Sequence, residues 1–225
     1  MENARCIRVT GTGSLKLKPD TTRISLTVRG THKEYAETLE RSSEDTEALR
    51  KTLGRLGFSA DLLKTVSFNV DPRYEGYNDK NGNYRERFKG YEFIHSLKLE
   101  FPSDNDLLGR TLYALAHSPV KPEFRIGYTV KDKESAKNEL IAKAVADAFE
   151  KAKVLAKASG VSLGEIQSID YSLCEPSFEV RPVNVRFKAS MAVADCGEEE
   201  CAYGLDINPE DITVNDTVTI VWLIS

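Results

Sequence analysis

The sequence predicts an α+β fold built of two β-α-β-β repeat units, with mainly antiparallel sheets and helices packed on one face. Runs of period-2 hydrophobicity alternate with stretches in which apolar residues recur at three- and four-residue steps. The strand, helix, strand order occurs twice: Val66, Phe68 and Val70 stand at the same offsets after Gly57 as Ile169, Tyr171 and Leu173 do after Gly160. Asn81-Gly82 adds a hairpin signal between two apolar runs.

The elements follow in order. A strand around Arg5 to Thr10 opens the chain, and Thr22, Ile24, Leu26 and Val28 alternate as the next. Ala36, Leu39, Ser43, Thr46, Leu49, Leu53 and Leu56 share a helical face, which Gly57 ends in a left-handed cap. Val66, Phe68 and Val70 then form a strand. A two-residue type I′ turn at Asn81-Gly82 places Val70 opposite Phe93, Phe68 opposite His95 and Val66 opposite Leu97, so apolar side chains meet on one face. Asp104 is the expected N-cap of a helix over 104–117 that carries Leu107, Leu108, Leu112 and Leu115 and bridges the units. In the second unit Phe124, Ile126, Tyr128 and Val130 alternate, and Ile141, Val145, Ala148, Ala152 and Leu155 are expected on the buried helix face. The small Ala144, Ala148 and Ala152 let that helix lie close on its sheet. After a long connection from Cys174 to Asp211, Val214, Val218, Ile220, Trp222 and Ile224 form the last strand. The whole reads as one domain, 1–225, of units 20–101 and 121–225 joined by the 104–117 helix.

Composition excludes several functions. The 225 residues are 40% hydrophobic and carry 31 basic against 35 acidic side chains, a net charge of −4. An acidic chain lacks the basic face that phosphate neutralisation needs, so nucleic acid is not an expected partner. No stretch approaches the ~20 apolar residues of a membrane-spanning helix. Met1 leads directly into Glu2 and Arg5 without an apolar export segment, so a cytoplasmic location is expected. Cys6, Cys174, Cys196 and Cys201 lack the spacing of a disulfide framework and are expected as free thiols. The stretch Asp195 to Cys201 holds two thiols near several carboxylates, but zinc-type spacings are absent, so an acidic turn is the simpler reading.

Motifs for chemistry are few. Gly11-Thr-Gly13 is followed by Pro19-Asp20 and a strand where a phosphate-binding helix would have to begin, so it reads as a strand connection, whose glycines would allow a bend or close backbone approach. A calcium loop around Asp79-Lys-Asn81-Gly82 would need Tyr77 and Phe88 as ligands, which they cannot be. His95 lies on an apolar strand face and reads as a core histidine with a local hydrogen bond. His117 ends the bridging helix, where a cation beside the last carbonyls is favoured. The basic runs Arg85, Arg87, Lys89 and Arg181, Arg186, Lys188 read as exposed hairpin charge. No catalytic residue, cofactor or metal is expected.

The ordered set Val9-Thr-Gly-Thr-Gly13, Lys18-Pro-Asp20, Ile24-Ser-Leu-Thr-Val28, Gly90-Tyr91, Lys137-Asn-Glu-Leu140 with its Ala-rich helix, Gly160-Val-Ser-Leu-Gly164 and Thr217-Val-Thr-Ile-Val-Trp222 resembles the SIMPL-domain family, a domain of unknown function. The resemblance covers nearly the whole chain. It implies no agreed catalytic residues; many bacterial relatives are exported, and the animal namesake is a signalling adaptor.

Two functions are therefore weighed. The first is a non-enzymatic assembly or binding protein, expected as a homo-oligomer, that self-associates through sheet edges and the long loops 71–89 and 174–211. Its expected interface anchors are Tyr74, Tyr77, Tyr84, Phe178, Phe187 and Tyr203. The second is an enzyme or small-molecule-binding protein with a pocket between the repeat units, where Cys174, Glu175, Arg181 and His95 would be the polar groups.

Overall fold

The computed structural model describes residues 5–171, 177–180, 204 and 207–225. Among these residues lie eight strands: β1 (Cys6–Leu17), β2 (Thr21–His32), β3 (Leu63–Asn78), β4 (Tyr84–Pro102), β5 (Glu123–Thr129), β6 (Leu163–Asp170), β7 (Glu179–Val180) and β8 (Ile212–Ile224). Three α-helices accompany them there, α1 (Tyr35–Gly54), α2 (Asn105–Ala116) and α3 (Lys133–Ala158), with a 3-10 turn at Ala60–Leu62. The expected α+β class holds, and β1 with β8, β2 with β4, β3 with β4 and β6 with β8 are all antiparallel pairs.

The chain divides into two compact units drawn from separate segments: residues 1–20, 129–180 and 210–225 form one, and residues 21–128 and 181–209 the other. In the first unit the strands run β1-β8-β6. In the second they run β3-β4-β2-β5. The strand that sequence placed at the start of the second repeat, β5, thus joins the sheet of β2. The place beside β8 is taken by β1, which pairs with it from Cys6↔Leu223 to Leu17↔Ile212.

The first unit is cored by α3 on β1 and β8. Ala144, Ala148 and Ala152 pack with Val9, Val218, Ile220 and Trp222, and Leu140 with Leu15, Ile212 and Val214. Gly11 and Gly13, expected in a strand connection, lie inside β1, paired with Val218 and Asp216, and face this helix. A Cβ at Gly11 would collide with the Ala144 carbonyl and Ala148, and one at Gly13 with the Leu140 carbonyl, so the bare backbone sets the helix-to-sheet distance. The buried stripe is Ala136, Leu140, Ala144, Ala148, Ala152 and Ala156. Val145 and Leu155, expected inside, are exposed. Small residues at i, i+4 spacing win the buried face because they allow the closer approach.

The second unit buries Ile24, Leu26, Val28, Leu49, Leu53, Phe93, Leu97 and Leu99. The inner face of α1 differs from the expected one: Ala36 and Leu39 are exposed, and Thr38, Ser42 and Thr46 are buried with Leu49 and Leu53. Two of these hydroxyls satisfy themselves within the helix, Thr38 donating to Glu34 O and Thr46 to Ser42 O, both at 2.8 Å. α2 starts as expected, Asp104 Oδ1 accepting from Asp106 N at 2.8 Å and Leu107 N at 3.2 Å. The helix-ending glycines Gly57 and Gly160 have φ of +87° and +70°.

Candidate functional site

The feature that stands out from the second unit is a two-stranded arm. β2 ends at His32, opposite Tyr91, whereas β3 and β4 continue pairing to Asn78↔Tyr84. Beyond Tyr91 the hairpin has no β2 beside it. At about 3.3 Å per residue the arm projects about 25 Å. Gly90, where it leaves the sheet, has φ +148° and would drive a Cβ into the His32 carbonyl.

The turn at its tip differs from the expected type I′, which needs two positive φ angles. Only Gly82 is positive, at +81°. Gly82 N donates to Asp79 O and Asp79 N to Asn83 O, both at 2.9 Å, while Asp79 Oδ1 accepts from Asn81 N at 2.9 Å and Asn83 N at 3.0 Å. This is a three-residue loop with glycine in the left-handed position. It moves the register by one residue, and a bulge that leaves Lys89 unpaired between Arg73↔Gly90 and Tyr74↔Phe88 moves it back. Val70↔Phe93 and Phe68↔His95 are therefore found as expected, for a different reason. Val66 is not opposite Leu97: a second bulge gives that place to Thr65, and Val66 is exposed.

Alternation gives the arm two unlike faces. One continues the helix-covered face of the sheet as an aromatic ladder. Tyr35 meets Tyr91 at 5.3 Å between ring centroids, Tyr91 meets Phe88 at 5.2 Å, and Phe88 meets Tyr74 at 5.8 Å, all edge to face. Tyr84 follows over Gly76, where a Cβ would strike its ring. Tyr74, Phe88 and Tyr84 are 58%, 48% and 70% exposed. The other face carries cross-strand ion pairs: Arg73 Nε to Glu92 at 3.2 Å, Arg87 Nη2 to Glu75 at 2.7 Å and Arg85 Nε to Asp79 at 3.1 Å. The Arg87 hydrogen bond and charge, with Lys89, hold the Glu75 carboxyl below its usual range, and Asn83 N and Arg85 do the same for Asp79. Tyr77 lies on this face, 5.9 Å from the Arg87 guanidinium.

Of the expected anchors, the arm gathers Tyr74 and Tyr84 on one face and Tyr77 on the other. Phe178 is corrected: it is buried in the first unit with Leu15, Val130, Ala136 and Leu140, its place set by Thr129 Oγ1 donating to its carbonyl at 2.6 Å. Phe187 and Tyr203 lie outside the described residues, as do Cys174, Cys196, Cys201, Glu175 and Arg181; Cys6 is a free, exposed thiol. Sequence reasoning missed Phe88, Tyr91 and Tyr35 as members of the ladder, since the Lys89 bulge breaks the i, i+2 spacing that would have joined Phe88 to Tyr91. His95 sits in the core, one ring nitrogen 3.1 Å from Thr46 Oγ1 and the other 2.9 Å from Thr65 Oγ1. Burial, with the Arg50 charge adding to it, holds its imidazole below the ordinary value. His117 is the C-cap of α2, Nδ1 2.8 Å from Tyr113 O.

The SIMPL family, described as "Protein of unknown function (DUF541)", matches residues 7–222. The chain belongs to the SIMPL family. Among curated relatives, the 26 kDa periplasmic immunogenic proteins of Brucella melitensis and Brucella abortus are each 26% identical over 209 residues, covering 93% of this chain and 82% of theirs. These names overturn the expected cytoplasmic location, because they place homologues in the periplasm and point to export. No described helix is long and apolar enough to cross a membrane.

Proposed function

We propose that this SIMPL protein is an exported assembly protein whose copies associate through the β3–β4 arm. The observation that carries this is the uncovered aromatic face of Tyr74, Phe88 and Tyr84 on strands that outrun the rest of their sheet. A lone two-stranded hairpin is marginal in water. Large apolar side chains on free strand edges are what proteins otherwise suppress with charge. Here the ion pairs lie on one face, and the aromatic face carries a single carboxylate, Glu86, 3.4 Å from the Tyr84 hydroxyl, an arrangement suited to another protein surface. Export is supported by the Brucella relatives' printed names. The test is sedimentation velocity on wild type and on Tyr74→Ser/Phe88→Ser. Both residues are exposed, so the variant should unfold within about 1 kcal/mol of wild type yet sediment as a monomer where wild type is larger. Equal sedimentation of two folded proteins rejects the reading.

A further inference from the structure

The first unit has two sheet edges, and they are treated differently. At the β1 edge, Asp147 of α3 accepts from Thr12 N at 2.7 Å, and Lys151, itself 2.7 Å from Asp147, lies 3.5 Å from Thr10 O. Side chains thereby occupy strand backbone groups on the side away from β8. At β6, the other edge, the described residues supply no such cover. Ile166 and Ile169, opposite Trp222 and Ile220 and so on the helix side of the sheet, are 52% and 55% exposed. α3 packs chiefly on β1 and β8. Phe149 is roughly 160° round that helix from both Asp147 and Lys151, which places it with Val145 on the β6 flank; both are exposed.

We infer that β6 of one copy accepts the arm of the next, the β4 edge over 84–89 pairing with the β6 edge over Leu163–Asp170, both unpaired among the described residues. This rests on the arm-mediated assembly proposed above and names its receiving surface. The two strands match in both respects that strand addition requires. Each presents large apolar side chains on one face, Tyr84 and Phe88 on either side of Glu86 on the donor and Ile166 and Ile169 on the acceptor, where Val145 and Phe149 of α3 flank the added strand. They are also opposite in charge. The donor carries Arg85, Arg87 and Lys89 against Glu86, and the acceptor strand carries Glu165 and Asp170 with no cation of its own; Lys153, 4.2 Å from the Phe149 ring, is paired with Glu150 at 3.0 Å. Lys89, Glu165 and Asp170 have no ion pair among the described residues. Donor and acceptor are different surfaces, so the contact is head-to-tail and each copy both gives and receives.

Complementation tests this. Phe88→Ser/Lys89→Glu lacks the donor, and Ile166→Lys/Ile169→Lys lacks the acceptor; all four positions are exposed. Each variant alone should have the monomer's mass by light scattering, and an equimolar mixture should give a species of twice that mass and nothing larger. As a second variant, Glu165→Lys/Asp170→Lys should lower the assembled fraction, and mixing it with Lys89→Glu should restore it. An acceptor variant that assembles like wild type, or a mixture that stays monomeric, overturns this inference while leaving arm-mediated assembly standing. A monomeric wild type overturns both.

Discussion

Gly11 and Gly13 decide how closely α3 approaches β1, because the atoms a side chain would meet are helix backbone that cannot swing away. Gly11→Val should cost about 3 kcal/mol or more of unfolding free energy in denaturant titrations, at the upper end of overpacking effects, whereas Thr12→Val, on the exposed side, should change little. His95 supplies a pH signature. Its folded imidazole resists protonation, while in the unfolded chain it protonates near pH 6.5. Its stabilising contribution is complete above that value and is lost as pH falls below it toward the lower folded value. Asp45, pushed up chiefly by burial, acts in the opposite sense at lower pH, gaining stability as it protonates. Comparing wild type with His95→Gln isolates the imidazole: the variant should be less stable at pH 7.5, and its stability should fall less steeply between pH 7 and 5. The core role of His95 was legible from its neighbours in sequence. The burial of Phe178 was not, because it depends on a hydrogen bond to Thr129, 49 residues away.

At the scale of elements, regular alternation was readable and its interruptions were not. Ile24, Leu26 and Val28 in β2, or Val214, Val218 and Ile220 in β8, declare their buried face by period alone. The α3 stripe was read only in part, since alanine looks neutral by hydrophobicity yet wins the interface by size. The arm shows why bulges escape a pattern: its turn and Lys89 each displace the register by one, and their effects cancel at Val70 and Phe68. The two corrections can be separated. Deleting Lys89 should leave a regular ladder with Phe88 and Tyr91 still on one face, so stability should survive and assembly should weaken only by the loss of that one cation. Deleting Arg87 should turn Phe88 to the charged face and abolish assembly. Near-ultraviolet circular dichroism, which reads the packed tyrosines, should follow the same division.

For the whole molecule, the matched offsets after Gly57 and Gly160 suggested two repeats, but they named the partner of no strand. β5, expected at the start of the second repeat, joins the sheet of β2, and the opening strand β1 pairs with β8, a choice fixed by long-range pairing such as Val9↔Ile220, which no local window contains. The cytoplasmic expectation drawn from the residues near Met1 was likewise overturned by relatives named for the periplasm. The net charge of −4 and the bare aromatic arm together favour a protein surface over a polyanion as the arm's partner. The most direct measurement is the absolute mass of the wild-type chain by size-exclusion chromatography with light scattering, followed over a hundredfold dilution. A discrete multiple of the monomer that survives dilution, and that Tyr74→Ser/Phe88→Ser reduces to one copy, is the predicted result. A single copy at every concentration would contradict it.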